Sequence, residues 1–227
     1  MKLTKNQLHC FGAFVVVSFS HLAHAQTTEF ESKPWTETAR PYLGIGSLGI
    51  TLGSAFEASE SVDARISYSS LRYKKTDNSS SSTTSTIDLN NSNLSLLADW
   101  FPSNNSGWRL TGGLQTGSNK ITLSAKPTGS VTIGGNTYNN VNFSAALDLG
   151  STAPYLGLGY STRESKGSGL TFFNDIGVRF GTAKVNLSES TGAVSQADLN
   201  AEKVKIENKV KSLRYYPVVG FSLGYRW

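Results

Sequence analysis

The chain is 227 residues long, and its 21 lysines and arginines against 16 aspartates and glutamates give a formal net charge of +5. Its three histidines and its single cysteine, Cys10, all lie within the first 25 residues. If that segment is removed, the remainder cannot form a Ser-His-Asp triad, a Cys-His pair, a disulfide or a His/Cys metal site. We therefore expect a protein that is not an enzyme, without catalytic residues, cofactor or metal.

The first 25 residues have the three parts of a secretory signal peptide. Lys2 and Lys5 are positive, Phe11–Phe19 is a short apolar run, and small residues around Ala25 predict cleavage before Gln26. The apolar run is too short to span a membrane as a helix. Cleavage removes two lysines and lowers the formal charge from +5 to +3, which is too little to indicate a nucleic-acid partner. We predict a signal peptide over 1–25, an exposed lead-in over 26–40 and one domain over 41–227.

The domain begins with residues that alternate between apolar and small, as in a β-strand. Tyr42–Phe56 changes phase near Gly46-Ser47, which predicts a bulge in preference to a tight turn. Val62–Tyr73 is a further strand, and the polar, low-complexity segment Lys74–Thr86 is predicted to be a mobile loop. The apolar side chains before the phase change are Leu43 and Ile45, and those after it are Leu48, Ile50 and Leu52.

A hairpin follows, with Asn93–Phe101 and the segment from Trp108 as its strands and Pro102–Gly107 as its turn. Trp100 and Trp108 flank this turn at the same height, with Phe101 beside them. Aromatic side chains at strand ends are typical of a membrane interface. We predict an aromatic girdle that also includes Tyr160; a pair of core tryptophans is the alternative. Residues 126–140 read as a loop and 141–149 as the start of the returning strand.

Two more segments, Tyr155–Ser161 and Leu170–Phe180, alternate in the same way around a short turn at Arg163–Gly169. In the second, Asp175 and Arg179 fall on the face opposite the large apolar residues. Charged residues in such a position fit the inside of a barrel and do not fit a lipid-facing wall.

One segment is predicted to be helical. Gln196–Leu213 contains no glycine or proline and is rich in helix formers. Leu199, Ile206, Val210 and Leu213 form a narrow apolar stripe. The segment is interpreted as a loop helix on a barrel rim, with a lumen plug or a partner-binding helix as alternatives.

The last strand, Tyr215–Trp227, has one large apolar face and one small polar face. A strand of this kind that ends on an aromatic residue is typical of an outer-membrane barrel, and its final residues serve there as the membrane-insertion signal. The residues that we assign to this signal are Phe221, Leu223, Tyr225 and Trp227.

Taken with the signal peptide, the segments YLGIGSLGITLG, LLADWFP, APYLGLGY and PVVGFSLGYRW resemble the small outer-membrane β-barrels of Gram-negative bacteria. These are the group around outer-membrane proteins A, X and W and the opacity proteins. The resemblance implies eight antiparallel strands, short periplasmic turns and long outer loops. Seven strands are evident, so the eighth is sought in 42–56, 27–40 or 141–161.

We therefore predict an all-β, transmembrane, up-and-down barrel of about eight strands, with one amphipathic helix in a long loop. Mixed charges confined in its lumen must pair, because an isolated buried charge costs several kcal/mol. The expected partners are outer-membrane lipid, lipopolysaccharide, the barrel-assembly machinery and an envelope or host protein. The expected role is structural or surface interaction through the loops, and the alternative is a narrow channel or transporter for small solutes, with hydrophobic solutes among them. The predicted lumen network is Arg65, Asp99, Arg109, Gln115, Asp175, Arg179 and Arg226.

Overall fold

The structure, a computed structural model, describes residues 38–80, 83–103, 105–162 and 168–226. The predicted signal peptide, most of the lead-in, residues 163–167 of the third short turn, and Trp227 lie outside these ranges.

The described residues form twelve β-strands, one α-helix and one 3-10 helix, Lys211–Arg214. The helix α1 is Gln196–Val210. The strands are β1 Arg40–Gly46, β2 Gly49–Ser59, β3 Val62–Ser80, β4 Thr83–Trp100, β5 Trp108–Pro127, β6 Ser130–Ile133, β7 Asn136–Asn139, β8 Phe143–Asp148, β9 Thr152–Ser161, β10 Gly169–Phe180, β11 Lys184–Glu189 and β12 Tyr215–Arg226.

Eight of these strands close into an antiparallel barrel in the order β1-β2-β3-β4-β5-β9-β10-β12. The first and last strands pair with each other, with Tyr42 opposite Gly224 and Gly46 opposite Gly220. Closure gives every strand of the ring two neighbours, one on each side. The predicted all-β fold, an antiparallel barrel of eight strands with a helix before the last strand, is therefore confirmed.

The strands are strongly tilted. A path that starts at Trp108 and crosses from each strand to the paired residue of the next returns to β5 at Ser118. The register of the ring is therefore offset by ten residues along β5. At about 3.4 Å per residue and about 4.8 Å per strand, this offset corresponds to a tilt of about 40°. The pairs in this circuit are Trp108–Tyr160, Tyr160–Asn174, Asn174–Phe221, Phe221–Ile45, Ile45–Ile50, Ile50–Ser70, Ser70–Ser92 and Ser92–Ser118.

The missing strand lies in 42–56, where the expected bulge is wrong. Ser47 and Leu48 form a tight turn between β1 and β2, so this segment supplies two strands. Gly49 has a φ of +101°, a conformation that favours glycine and lets the chain reverse in two residues. Because Leu48 belongs to the turn, it is buried and does not share the exposed face of Ile50.

The prediction of a mobile loop over Lys74–Thr86 is also wrong. β3 continues to Ser80 and β4 begins at Thr83, with Lys74 opposite Asp88 and Thr76 opposite Thr86. The Thr76 and Thr86 hydroxyls lie 3.0 Å apart. A polar composition did not prevent pairing here, because β5 supports the same pair of strands as a third neighbour.

The segment between β5 and β8, predicted as a loop, contains the hairpin of β6 and β7, on which α1 packs. Leu199 of α1 is buried with Ile133, Val141 and Val194. Asp198 accepts hydrogen bonds from the Tyr138 hydroxyl at 2.5 Å and from the Asn136 amide at 3.0 Å. These bonds, the Tyr138 bond foremost, hold the pKa of Asp198 below its ordinary value. We call the hairpin, α1, β8 and β11 the loop module.

The helix prediction is confirmed, and its start has a side-chain cap. The Ser195 hydroxyl accepts a hydrogen bond from the Asp198 backbone N–H at 3.1 Å. Of the predicted apolar stripe only Leu199 is buried within α1. The remaining stripe residues are partly or fully exposed. The helix therefore packs on the rest of the loop module mainly through its first turn, at Leu199.

The wall of the barrel is interrupted where β8 and β11 continue from β9 and β10. Tyr155 pairs with Arg179 and Asp148 pairs with Lys184, so the six residues 149–154 face the four residues 180–183. The Arg179 guanidinium spans this irregularity and donates to the carbonyls of Leu149 at 2.8 Å and Gly150 at 2.7 Å. Arg179 therefore satisfies two backbone acceptors that the ladder leaves free.

Replacing Arg179 with methionine is expected to destabilise the barrel by about 1–3 kcal/mol, because the buried Leu149 carbonyl loses its side-chain donor. The partly buried Gly150 carbonyl keeps only the longer hydrogen bond, 3.5 Å, from Asn119. The measurement is the free energy of unfolding in detergent with urea. Arg179→Lys, which keeps one donor, should lose less than Arg179→Met. Equal stability of Arg179→Met and the wild type would contradict this role.

Candidate functional site: a closed lumen

Four charged residues from four strands meet in the middle of the lumen. Arg65 comes from β3, Asp99 from β4, Arg109 from β5 and Asp175 from β10. Each lies on the face of its strand opposite the large apolar side chains, so closure of the ring turns all four inward. We call this set the lumen ring.

Each arginine of the lumen ring contacts both aspartates. The Nε of Arg65 lies 2.6 Å from a carboxylate oxygen of Asp99. The two terminal nitrogens of Arg65 each lie 2.9 Å from an oxygen of Asp175. Arg109 reaches Asp175 at 2.7 Å and Asp99 at 3.2 Å. Asp99 also accepts a 2.6 Å hydrogen bond from the Thr111 hydroxyl. Two positive and two negative groups therefore neutralise one another across the barrel, and the paired contact of Arg65 with Asp175 is the geometry in which guanidinium and carboxylate bind best.

Small residues opposite the lumen ring make room for it. A β-carbon on Gly159 would lie 2.7 Å from a guanidinium nitrogen of Arg109, and one on Gly177 would lie 2.5 Å from the Tyr155 hydroxyl. The ring of Phe173 fills the remaining space, 5.8 Å from the guanidinium carbons of both Arg40 and Arg109. Phe173 precedes Asp175 by two residues and so shares its inward face, and its role as the aromatic partner of two arginines was not predicted.

Toward the end of the barrel where β1 begins, a second set of ion pairs closes the lumen. Arg40 pairs with Asp63, and both side chains are buried. Arg226, predicted to face inward, pairs with Glu57. Arg40, Asp63 and Glu57 were missed, although Asp63 precedes Arg65 by two residues and so shares its inward face.

Toward the other end, the β1–β2 turn folds over the lumen. Leu48 packs with Tyr155 and Val218, and Leu97 and Tyr216 flank them. Ser47 ties the turn to β12 through its backbone N–H to the Val219 carbonyl at 2.9 Å, and the Tyr216 hydroxyl donates to the Ser47 carbonyl at 3.1 Å. The turn acts as an apolar cap.

A cavity of about 60 Å³ remains between the cap and the lumen ring. Gln115, Ser67 and Ser95 line it with polar groups. This volume holds about two water molecules. Within the described residues, the lumen thus contains a cap, a small cavity and two levels of ion pairs.

The predicted lumen network is divided in the structure. The lumen ring supplies the partners of Asp175, whereas Arg179 donates to the Leu149 and Gly150 carbonyls and does not pair with Asp175. Four residues along a strand span about 13 Å, which is too far for two side chains of one strand to meet directly. Gln115 lies at the cavity and does not touch the four charges of the lumen ring.

The outer face carries aromatic side chains at the turn end of the barrel. Trp108 is 64% exposed, and its ring meets that of Tyr160 edge-on at 5.7 Å. Trp100 is also exposed, as are Phe221, Leu223 and Tyr225. Phe101 does not join them: it is 1% exposed. It follows Asp99 by two residues and so lies on the inward phase, and the prediction that placed it in the girdle is wrong.

Within the described ranges, no group of three or more His, Cys, Asp or Glu side chains could hold a metal ion. The same part of the chain contains no helix that is long and apolar enough to cross a membrane.

Two solved structures share this fold. CarO2 of Acinetobacter baumannii superposes with a TM-score of 0.62 at 21% identity, over 83% of this chain and 98% of CarO2. CarO of the same organism gives 0.61 at 22% identity, over 86% of this chain and all of CarO. At these identities the likeness establishes the fold. No family model matches the sequence, and no curated protein matches it significantly.

Replacing Asp175 with asparagine is expected to destabilise the barrel by roughly 3–5 kcal/mol, because Arg65 and Arg109 are then left with one carboxylate between them. Unfolding in detergent with urea measures the loss. Asn174→Ala, on the exposed face of the same strand, is the matched control and should be close to neutral. Adding Arg109→Gln to Asp175→Asn restores charge balance and should recover part of the stability; no recovery would contradict the pairing.

Proposed function

We propose that this protein is an integral outer-membrane β-barrel that is not an enzyme and whose role is structural. In this proposal the barrel is a closed anchor, and the loop module is the part that meets an envelope or host partner. The observation that carries the proposal is the closed lumen, since a barrel whose interior is filled by paired charges can act only through its surface.

The outer wall supports a membrane location. The large apolar side chains of β10 extend from Leu170 to Phe180, and those of β12 from Tyr215 to Tyr225; all four residues are exposed. Ten residues cover about 34 Å along a strand and, at about 40° of tilt, about 25 Å of height, which matches the apolar band of outer-membrane barrels. The two CarO neighbours are outer-membrane β-barrel proteins.

The connections support an orientation. The turns after β2 and β4 and the end of β9 lie at the same end of the barrel as the start of β1 and the end of β12, and the loop module lies at the opposite end. Outer-membrane barrels place short turns in the periplasm and long loops outside. We therefore place the loop module at the cell surface, where the outer face of α1 exposes Val204 and several charges.

A labelling experiment tests this orientation. A cysteine introduced at Thr137 of β7 should react with an impermeant thiol reagent in intact cells, and one at Asn105, in the β4–β5 turn, should react only after lysis. The chain's only native cysteine, Cys10, lies in the predicted signal peptide.

In planar bilayers, purified wild-type protein should give no stepwise conductance; regular open-channel steps would contradict the closed anchor.

A second candidate function, a route for small apolar solutes, is favoured by one feature of the wall. β1 ends at Gly46, six residues beyond Arg40, while β3 continues to Ser80. Six residues at about 40° of tilt give about 15 Å of height, less than the band of about 25 Å. The wall is therefore notched between β12 and β3 within the apolar band, with Leu48 at the foot of the notch and the cavity behind it.

If the notch admits apolar solutes, Leu48→Ala should speed their entry, because it removes the cap's main side chain. The measurement is the rate of N-phenyl-1-naphthylamine fluorescence increase in intact cells. Leu43→Ala is the matched control, since Leu43 lies on the exposed face of the same hairpin. Equal rates for Leu48→Ala and the wild type would leave the closed anchor as the function.

A further inference from the structure

Three cations lie in one row across the outer face of the wall that carries the loop module. Arg72 of β3 is opposite Asn90 of β4, and Asn90 is opposite Lys120 of β5. Lys120 is opposite Asp148 of β8, which is opposite Lys184 of β11. The three cations are exposed, and each lies on the outward face of its strand together with the other exposed side chains. We call Arg72, Lys120 and Lys184 the cation row.

The cation row lies just above the apolar band. Lys120 is twelve residues along β5 from Trp108, which is about 40 Å along the strand and about 30 Å in height at the tilt of the barrel. The band of outer-membrane barrels is about 25 Å tall. Serines 70, 92 and 118 form the row immediately below, between the apolar side chains and the cations. Because the strands tilt by about 40°, the row rises about 3 Å from each strand to the next, so Lys184 lies about 12 Å above Arg72. The row therefore begins at the upper edge of the apolar band and crosses the level of the lipid headgroups.

The cations of the row form no ion pair within the described chain, although Asp148 lies opposite Lys120 and Lys184 and Asp88 lines a pocket with Arg72. Asp148 accepts a 2.8 Å hydrogen bond from the Gly150 backbone. The lysines of α1 differ: Lys203 reaches Glu207 at 3.8 Å and Lys205 reaches Glu202 at 3.2 Å. Neighbouring cations of the row are two strands apart, about 10 Å, so they can contact separate anionic groups of one ligand.

We propose that the cation row binds the phosphate groups of lipopolysaccharide in the outer leaflet. This inference rests on the proposed outer-membrane location, which puts the row opposite the phosphorylated sugars of that lipid. Several phosphates on one headgroup match several separated cations, and Arg72 supplies the forked donor that phosphate binds best. Phosphates of this kind also explain why strong positive charge is retained beside an apolar wall.

The apolar wall below the cation row fits the acyl chains of the same lipid. A groove of about 480 Å³ crosses β3, β4 and β5, with the small residues Ala64, Ala98 and Gly112 in its floor. The groove is also lined by Ile66, Leu96 and Leu114. These residues lie six positions along their strands from Arg72, Asn90 and Lys120, respectively. Six residues are about 20 Å, so headgroup and chain can lie on the same three strands.

The test compares lipid binding by two triple variants of the full chain, each purified in detergent. Arg72→Gln, Lys120→Gln and Lys184→Gln together remove the cation row; Lys203→Gln, Lys205→Gln and Lys209→Gln remove the same charge from α1. Purified lipopolysaccharide should bind the wild type and the α1 variant alike and the row variant at least tenfold more weakly. Lipopolysaccharide with its phosphates removed should bind all three proteins as weakly as the row variant binds the intact lipid.

Three results would overturn the proposal: unchanged binding by the row variant, equal loss in the α1 variant, or equal affinity for the dephosphorylated lipid. Phosphatidylglycerol micelles are the further comparison, and binding as tight as that of lipopolysaccharide would indicate a general anionic-lipid surface instead. The heat-dependent shift in gel mobility should be the same for all three proteins, which shows that the barrel is folded. Binding in detergent does not depend on cell fractionation, so failure here is distinguishable from failure of the outer-membrane location.

Discussion

The closed lumen depends on the ion pairs among Arg65, Asp99, Arg109 and Asp175. Burial of a charge is costly unless a partner and hydrogen bonds compensate for it, and each of these groups finds two partners of opposite sign within 3.2 Å. The four come from β3, β4, β5 and β10, so the pairs exist only once the ring has closed. Closure and neutralisation therefore support each other, and loss of either one would leave charges facing a space too narrow to hydrate them.

The unequal height of the wall follows from where the strands end. β1 and β2 stop at a two-residue turn, and this low side lets Leu48 fold inward as a cap. β3, β4 and β5 have 18 to 20 residues each, and this high side, extended by β8 and β11, supports the loop module. A single feature of the sequence, glycines at both ends of the β1–β2 turn, thus gives the barrel both its cap and its notch.

Strand phase was predictable from the sequence, whereas partners were not. Alternation alone placed Arg65, Asp99 and Arg109 inside and Trp108 outside, because one face of each strand must be apolar. Which inward charges meet depends on register around the whole ring, which a single strand does not encode. Arg179 was therefore grouped with the charges of the lumen ring, although its partners are backbone carbonyls. The polar segment after Tyr73 was predicted to be a loop because its composition is low in apolar residues, yet backbone pairing with a third strand was sufficient to order it.

The distribution of charge distinguishes the inside of this barrel from its upper outer face. Inside, cations and carboxylates occur in pairs and cancel, as confinement requires. At the top of the outer wall, Arg72, Lys120 and Lys184 face outward near two carboxylates, Asp88 and Asp148, without forming an ion pair in the described chain, and water can screen them there. Unpaired charge is thus tolerated only where a solvent or a charged ligand can reach it. The outer surface and the loop module beside it therefore carry the exposed charge of this barrel, whereas the charges of the lumen ring are paired.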